Sequence, residues 1–165
     1  MRSLVVYYSK SGNTRAVAEM IARALGGEVE EIVEVGVRRG GIFGYLRSGR
    51  GAMKKEKSRI EPSKKRPADL DLVVVGSPVW ASNVAPAVRS YLTTTDLKGR
   101  AVGFVCTLGG VGGDPTLGSM RELAVGARVL GELRVLQGDL RKKEALETKV
   151  AEWAKDLAAK AATSP

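Results

Sequence analysis

The chain has 165 residues, 44% of them hydrophobic, which is ample for one domain with a full core. It has no histidine and one cysteine, Cys106, so an internal disulfide, a Cys/His nucleophile pair, a serine triad with a histidine base and the usual zinc sites are excluded. The formal charge of +9 belongs to one segment: Gly36 to Arg66 carries eleven Lys and Arg against Glu56 and Glu61, and the rest of the chain is balanced.

Leu4 to Tyr8 is an apolar run that reads as a first strand, followed by Ser9-Lys10-Ser11-Gly12-Asn13-Thr14 and an amphipathic stretch with Val17, Ile21, Ala24 and Leu25 at helical spacing. Gly26-Gly27 ends that helix. A loop of small hydroxyl residues with one glycine at a helix start collects unpaired N–H groups, short donors and the positive end of the helix dipole, a place suited to an anion and above all a phosphate. A triphosphate loop needs GxxxxGK[ST] and a dinucleotide fingerprint needs GxGxxG, and neither pattern is present. A monophosphate held by backbone and hydroxyls remains, beside the plainer reading of a hydroxyl-rich turn with an ordinary cap.

Glu28 to Val35 alternates acidic and apolar residues and predicts a short edge strand with Val29, Ile32 and Val33 toward the core. The basic segment then opens on a glycine-rich turn, Gly36 to Gly41, and predicts a helix to about Glu56, with Pro62 and Pro67 bracketing a connector. Leu70 to Val75 is a continuous apolar run, as expected of a central strand covered on both faces, and runs into Gly76-Ser77-Pro78-Val79-Trp80-Ala81-Ser82-Asn83 before a helix over 85–92. Strand, loop and helix repeat as 101–107, the glycine-rich Leu108 to Pro115, and 116–125. Arg128 to Leu136 is the fifth strand, after which Asp139 is expected to cap a helix with Leu146, Val150, Trp153 and Leu157 on its apolar stripe. One domain over 1–160 with a frayed tail over 161–165 is expected, in the cytoplasm, since there is no membrane-length apolar run and no signal pattern at the start.

The first loop resembles the Thr/Ser-x-Thr/Ser-Gly-x-Thr loop of the flavodoxins and flavodoxin-like FMN proteins, matched here by Ser9, Ser11, Gly12 and Thr14 with Asn13 at the variable position. Five strands alternating with helices suit the corresponding α/β fold, a three-layer sandwich with a five-stranded parallel sheet in the order 2-1-3-4-5. Ligands of such sheets sit at the carboxyl ends of the strands, at the switch point between strands 1 and 3, and the loops after strands 1, 3 and 4 converge there. The resemblance implies FMN as cofactor, with Ser9 to Thr14, Lys10 among them, around the phosphate. It further implies Ser77, Pro78, Val79, Trp80 and Ala81 at the reactive edge of the flavin, and Thr107, Leu108, Gly109, Gly110, Gly112 and Gly113 on its far side. No residue of the chain is expected to act as a catalyst, because the flavin carries the chemistry.

Two departures stand out. Leu108 and Val111 are the only sizeable apolar groups of the third loop, so aromatic stacking from both sides is not expected, and the strong acidity common in the family is missing. No glycine lies between Gly76 and Gly99, so a turn with positive φ in the second loop would be strained. Trp80 reads either as a ring partner or as a cover for the sheet end, Lys10 as solvent-facing rather than phosphate-bound, and Cys106 as a small buried residue rather than a redox thiol. The basic segment reads as a solvated helix face, as a docking surface for an acidic redox protein, or, less well, as a nucleic-acid contact, since Phe43 and Tyr45 do not alternate with its bases. The two functions expected are an electron carrier and an NAD(P)H-dependent reductase of quinones or similar acceptors, as monomer or homodimer, with an FMN-free interaction domain as a weaker third.

Overall fold

A computed structural model describes residues 1–36 and 56–163. Strands β1 (Ser3–Tyr7), β2 (Glu28–Glu31), β3 (Leu72–Trp80), β4 (Asn83–Val84), β5 (Ala101–Leu108) and β6 (Arg128–Leu136) alternate with helices α1 (Asn13–Leu25), α2 (Pro86–Thr94), α3 (Gly113–Leu123) and α4 (Lys143–Thr163). The five long strands are parallel in the order β2-β1-β3-β5-β6, and β4 is a two-residue antiparallel addition to β3. Setting β4 aside, this is the expected order 2-1-3-4-5. Residues 37–55, which contain most of the expected basic helix together with Phe43 and Tyr45, lie outside the described part.

Alternation along the central strands builds two cores. Leu4, Val6, Val73, Val75 and Phe104 face α2 and α3, where Val88, Tyr91, Leu117 and Met120 meet them. Val5, Tyr7, Val74 and Val105 face α1 and α4, where Val17, Ile21, Val150 and Leu157 meet them. Burial on both faces is why β1, β3 and β5 are continuous apolar runs. Gly103 on β5 and Gly131 on β6 are register partners on the α4 side. A Cβ on Gly103 would lie 2.7 Å from Leu157 Cδ1, and one on Gly131 would lie 3.0 Å from Leu157 Cδ2 and 3.2 Å from Trp153 Nε1. The pair is thus a notch in the sheet into which α4 sinks.

Several local expectations are corrected. On α1, Val17 and Ile21 are buried and Leu25 packs partly buried against the same core as expected, whereas Ala24 is exposed and Thr14, Ala18 and Ala22 complete the buried face. Val29, on the edge strand β2, is 45% exposed, while Ile32, just past the end of that strand at Glu31, is buried. Asp139 does not cap α4: it lies in a 3₁₀ turn, accepts the Leu136 N–H at 3.0 Å, and α4 starts at Lys143. Helix α4 runs to Thr163, and the last two residues of the tail expected over 161–165 lie outside the described residues. No helix among the described residues is long and apolar enough to cross a membrane.

Candidate functional site

At the carboxyl end of β1 the chain turns through Ser9 to Gly12 into α1. Ser9 Oγ accepts the Gly12 N–H at 3.1 Å, which closes the loop on itself. Gly12 has φ +94° and is the N-cap of α1, with no side-chain cap. The first bond inside the helix is Ala16 N–H to Gly12 O at 3.0 Å, so the N–H groups of the opening turn face the loop without a side-chain acceptor. Lys10, Ser11 and Gly12 are exposed and Asn13 is half-buried. Thr14 is turned inward: its hydroxyl pairs with that of Thr107 at 2.8 Å.

The second loop differs from expectation. Gly76, Ser77, Pro78, Val79 and Trp80 are not loop but the extension of β3, which folds back on β4 with Val79 opposite Val84 and Trp80 opposite Asn83. Ala81 and Ser82 form the two-residue turn with φ +48° and +57°. Two-residue hairpins need this left-handed backbone to match the strand twist, and Asn-Gly normally supplies it. Here two residues with a Cβ adopt it at a cost of roughly 1–2 kcal/mol each. A positive-φ turn is therefore present in a loop without glycine, and it carries the strain expected of it. Ser77 is fully buried, its hydroxyl donating to Pro78 O at 2.9 Å and accepting the Ala85 N–H at 3.2 Å.

Trp80 is half-buried beside the first loop. The edge of Tyr8 meets it at 5.7 Å between centroids and 89° between planes, and Lys10 Nζ lies 5.6 Å from its ring centroid. Tyr8 in turn donates to Glu34 Oε2 at 2.6 Å. Burial holds the Lys10 amine below its ordinary range, with the Glu34 carboxylate acting the other way. Lys10 is therefore neither simply solvated nor committed to the phosphate position, but sits on an aromatic face.

In the third loop Thr107 and Leu108 still belong to β5, and Leu108 is 8% exposed within the core. It cannot flank a ring. Gly109 and Gly110 are exposed, and Val111 stands 85% exposed at the tip. Gly112, at φ +92°, precedes α3, and a Cβ there would fall 2.7 Å from Ser82 Cα. Gly113 opens the helix and is buried. The three loops thus meet pairwise: Thr14 with Thr107, Lys10 with Trp80, Ser82 with Gly112. A profile of the flavodoxin family matches residues 2–157. The chain belongs to the flavodoxin family.

Solved structures agree with the fold. A flavoprotein from Lactobacillus acidophilus in complex with FMN superposes with a TM-score of 0.71 at 23% identity, covering 86% of this chain and 97% of its own. A flavodoxin from Streptococcus pneumoniae gives 0.63 at 16% identity, with 97% and 99% covered. A WrbA-like flavodoxin from Agrobacterium tumefaciens gives 0.58 at 16% identity, with 95% and 97% covered. No curated protein matches the chain.

The remaining side chains of this flavodoxin narrow its chemistry. Cys106 is fully buried, and burial pushes its thiol up to about 12, so it is a packing residue and not a redox thiol. No group of three or more acidic or cysteine ligands that could hold a metal occurs among the described residues. Sequence reasoning missed Tyr8, Glu34 and Arg89. The doubled tyrosine at the end of β1 was the available signal for Tyr8, whereas Glu34 and Arg89 meet the site only through the fold.

Proposed function

We propose that this flavodoxin binds FMN non-covalently at the junction of the three loops and transfers electrons through it in the cytoplasm. The observation that carries the reading is the uncapped start of α1 at Gly12, lined by hydroxyls and containing no carboxylate from Ser9 to Thr14. That donor set suits a phosphate dianion. Backbone N–H groups of Asn13 and Thr14 with the hydroxyls of Ser9 and Ser11 would hold the phosphate. The β3 extension with Trp80, and Gly109 to Gly112, enclose the ring. Bound FMN supplies one- and two-electron redox chemistry. The protein orients it, keeps water from one face with Trp80, and holds the Lys10 charge next to that tryptophan. Riboflavin, which lacks the phosphate, is expected to bind at least ~tenfold more weakly than FMN, since charge-assisted hydrogen bonds contribute about 1.5–3 kcal/mol. Equal affinities in a fluorescence titration would remove the phosphate site.

The cation at Lys10 favours a second reading, a reductase that takes hydride from NAD(P)H and passes it to a quinone or similar acceptor. Positive charge beside the ring favours uptake of an electron pair over a single electron. Anaerobic mixing of the FMN-loaded protein with NADH or NADPH, followed at the flavin band, separates the readings: rapid bleaching belongs to the reductase, and none to the carrier.

For the carrier, the partner is a protein with an acidic face, docking on the segment from Arg38 to Arg66. Complementary charge acts mainly on encounter rate and is screened over about 8 Å at physiological ionic strength. Reversing Lys54, Lys55 and Lys57 to Glu is expected to slow electron transfer to an acidic acceptor at low salt and to leave FMN affinity unchanged. Rates that stay equal across a salt titration would reduce the segment to a solvated face.

A further inference from the structure

Arg89, on the first turn of α2, is 6% exposed. Its Nη2 donates to Asn83 Oδ1 at 2.7 Å, while its Nε is buried without an acceptor among the described residues. No carboxylate pairs with it among the described residues, and residues 37–55 contain no Asp or Glu that could do so. Burial accordingly pulls the guanidinium below its ordinary range. A buried cation with one neutral acceptor among the described residues and no carboxylate is a poor stabilising device, since the desolvation of charge is not repaid by an opposite charge. Its one strong hydrogen bond therefore points to a different role.

Asn83 closes the hairpin that begins at Trp80, and its Oδ1 also accepts the Val84 N–H at 2.9 Å. Between the two residues lies the left-handed Ala81-Ser82 turn, held by only two strand pairs and pressed on Gly112. A hairpin this short is marginal by itself, and its turn stores strain that favours opening. We propose that Arg89 is a positioning residue for the cofactor site: it latches Asn83 and so holds the strained tip, with Trp80 at its base, closed against the third loop. The inference rests on the reading of this junction as the FMN site, but the latch itself is defined without the cofactor.

The test compares Arg89→Met, Arg89→Lys and Asn83→Ala by hydrogen exchange on the cofactor-free protein and by FMN titration. In Arg89→Met, amides of residues 79–84 are expected to exchange ~tenfold faster or more, a loss of about 1.4 kcal/mol of local stability, with the rest of the chain unchanged. Its Tm stays within roughly 3 °C of the parent or rises, because an uncompensated charge has gone. FMN affinity falls by a similar factor, Arg89→Lys recovers part of both effects, and the losses of Arg89→Met and Asn83→Ala are less than additive in the double variant, which retains only the further loss of the Asn83 bond to the Val84 N–H. Unchanged hairpin exchange overturns the latch, and so does faster exchange spread over the whole chain with a falling Tm, which marks a plain packing role. If Arg89→Met does not fold, Asn83→Ala decides alone by the same local exchange. A parent protein that binds no FMN defeats the cofactor reading and leaves the exchange result standing.

Discussion

Replacing Gly112 by alanine is expected to destabilise the protein by about 2–5 kcal/mol and to abolish tight FMN binding. Two costs add. The backbone at φ +92° is left-handed, which is unfavourable by about 1–2 kcal/mol for a residue with a Cβ. The new Cβ also falls 2.7 Å from Ser82 Cα, a main-chain atom on a turn that is already strained, and overpacking of this kind costs roughly 1–3 kcal/mol. Relief requires the hairpin tip to lift from the third loop, which separates the two walls of the site. Adding Ser82→Gly restores only part of the stability, because it removes the side-chain overlap and leaves the main chain at position 82 as close as before. Urea unfolding of the single and double variants measures this, and a single-variant loss under about 1 kcal/mol would mean that the loops move independently.

The second large effect concerns the hydroxyl pair that ties the first loop to the third. Thr14 is 2% and Thr107 6% exposed, and their oxygens are 2.8 Å apart. Thr14→Val keeps the shape but strands the Thr107 hydroxyl out of reach of bulk water, at an expected cost of about 1–3 kcal/mol. Thr107→Val strands Thr14 in the same way. Both together remove donor and acceptor at once and are expected to lie close to the parent in stability. A double-mutant cycle by chemical denaturation reads the coupling directly. Additive losses would show that each hydroxyl has another partner, and the direct tie between the loops would have to be given up.

Much of this architecture was legible because hydrophobic runs report burial on two faces. Strands β1, β3 and β5 follow from that pattern, and the strand order from the rules of parallel crossovers. The phosphate loop was legible for a different reason, since its chemistry is local and its residues are contiguous. What local patterns could not express was lost. The end of β3 looked like loop because Gly76, Ser77 and Pro78 are poor strand formers, yet Gly76 to Pro78 pair with Val105 to Thr107 and tertiary pairing prevails over propensity. Residue type showed that a positive-φ turn in the second loop would be strained, but only the hairpin geometry shows that it forms, at Ala81 and Ser82. Asp139 was assigned to the wrong turn because a capping side chain can reach either way along the chain. Neither the approach of Lys10 to Trp80 nor the bond from Arg89 to Asn83 has a signature in spacing, as each joins residues brought together by strand pairing.

The notch formed by Gly103 and Gly131 bears on how the molecule comes apart. Leu157 and Trp153 are seated where two neighbouring strands both lack side chains, so α4 is keyed to β5 and β6 together rather than resting on one of them. Among the described residues strand β6 has β5 as its only neighbour in the sheet and would otherwise be the easiest to peel away. Keyed in this way, the edge strand and the terminal helix leave as one cooperative piece or not at all. Substitutions that fill the notch would uncouple them, and the far edge of the sheet would then open below the temperature at which the phosphate loop is lost.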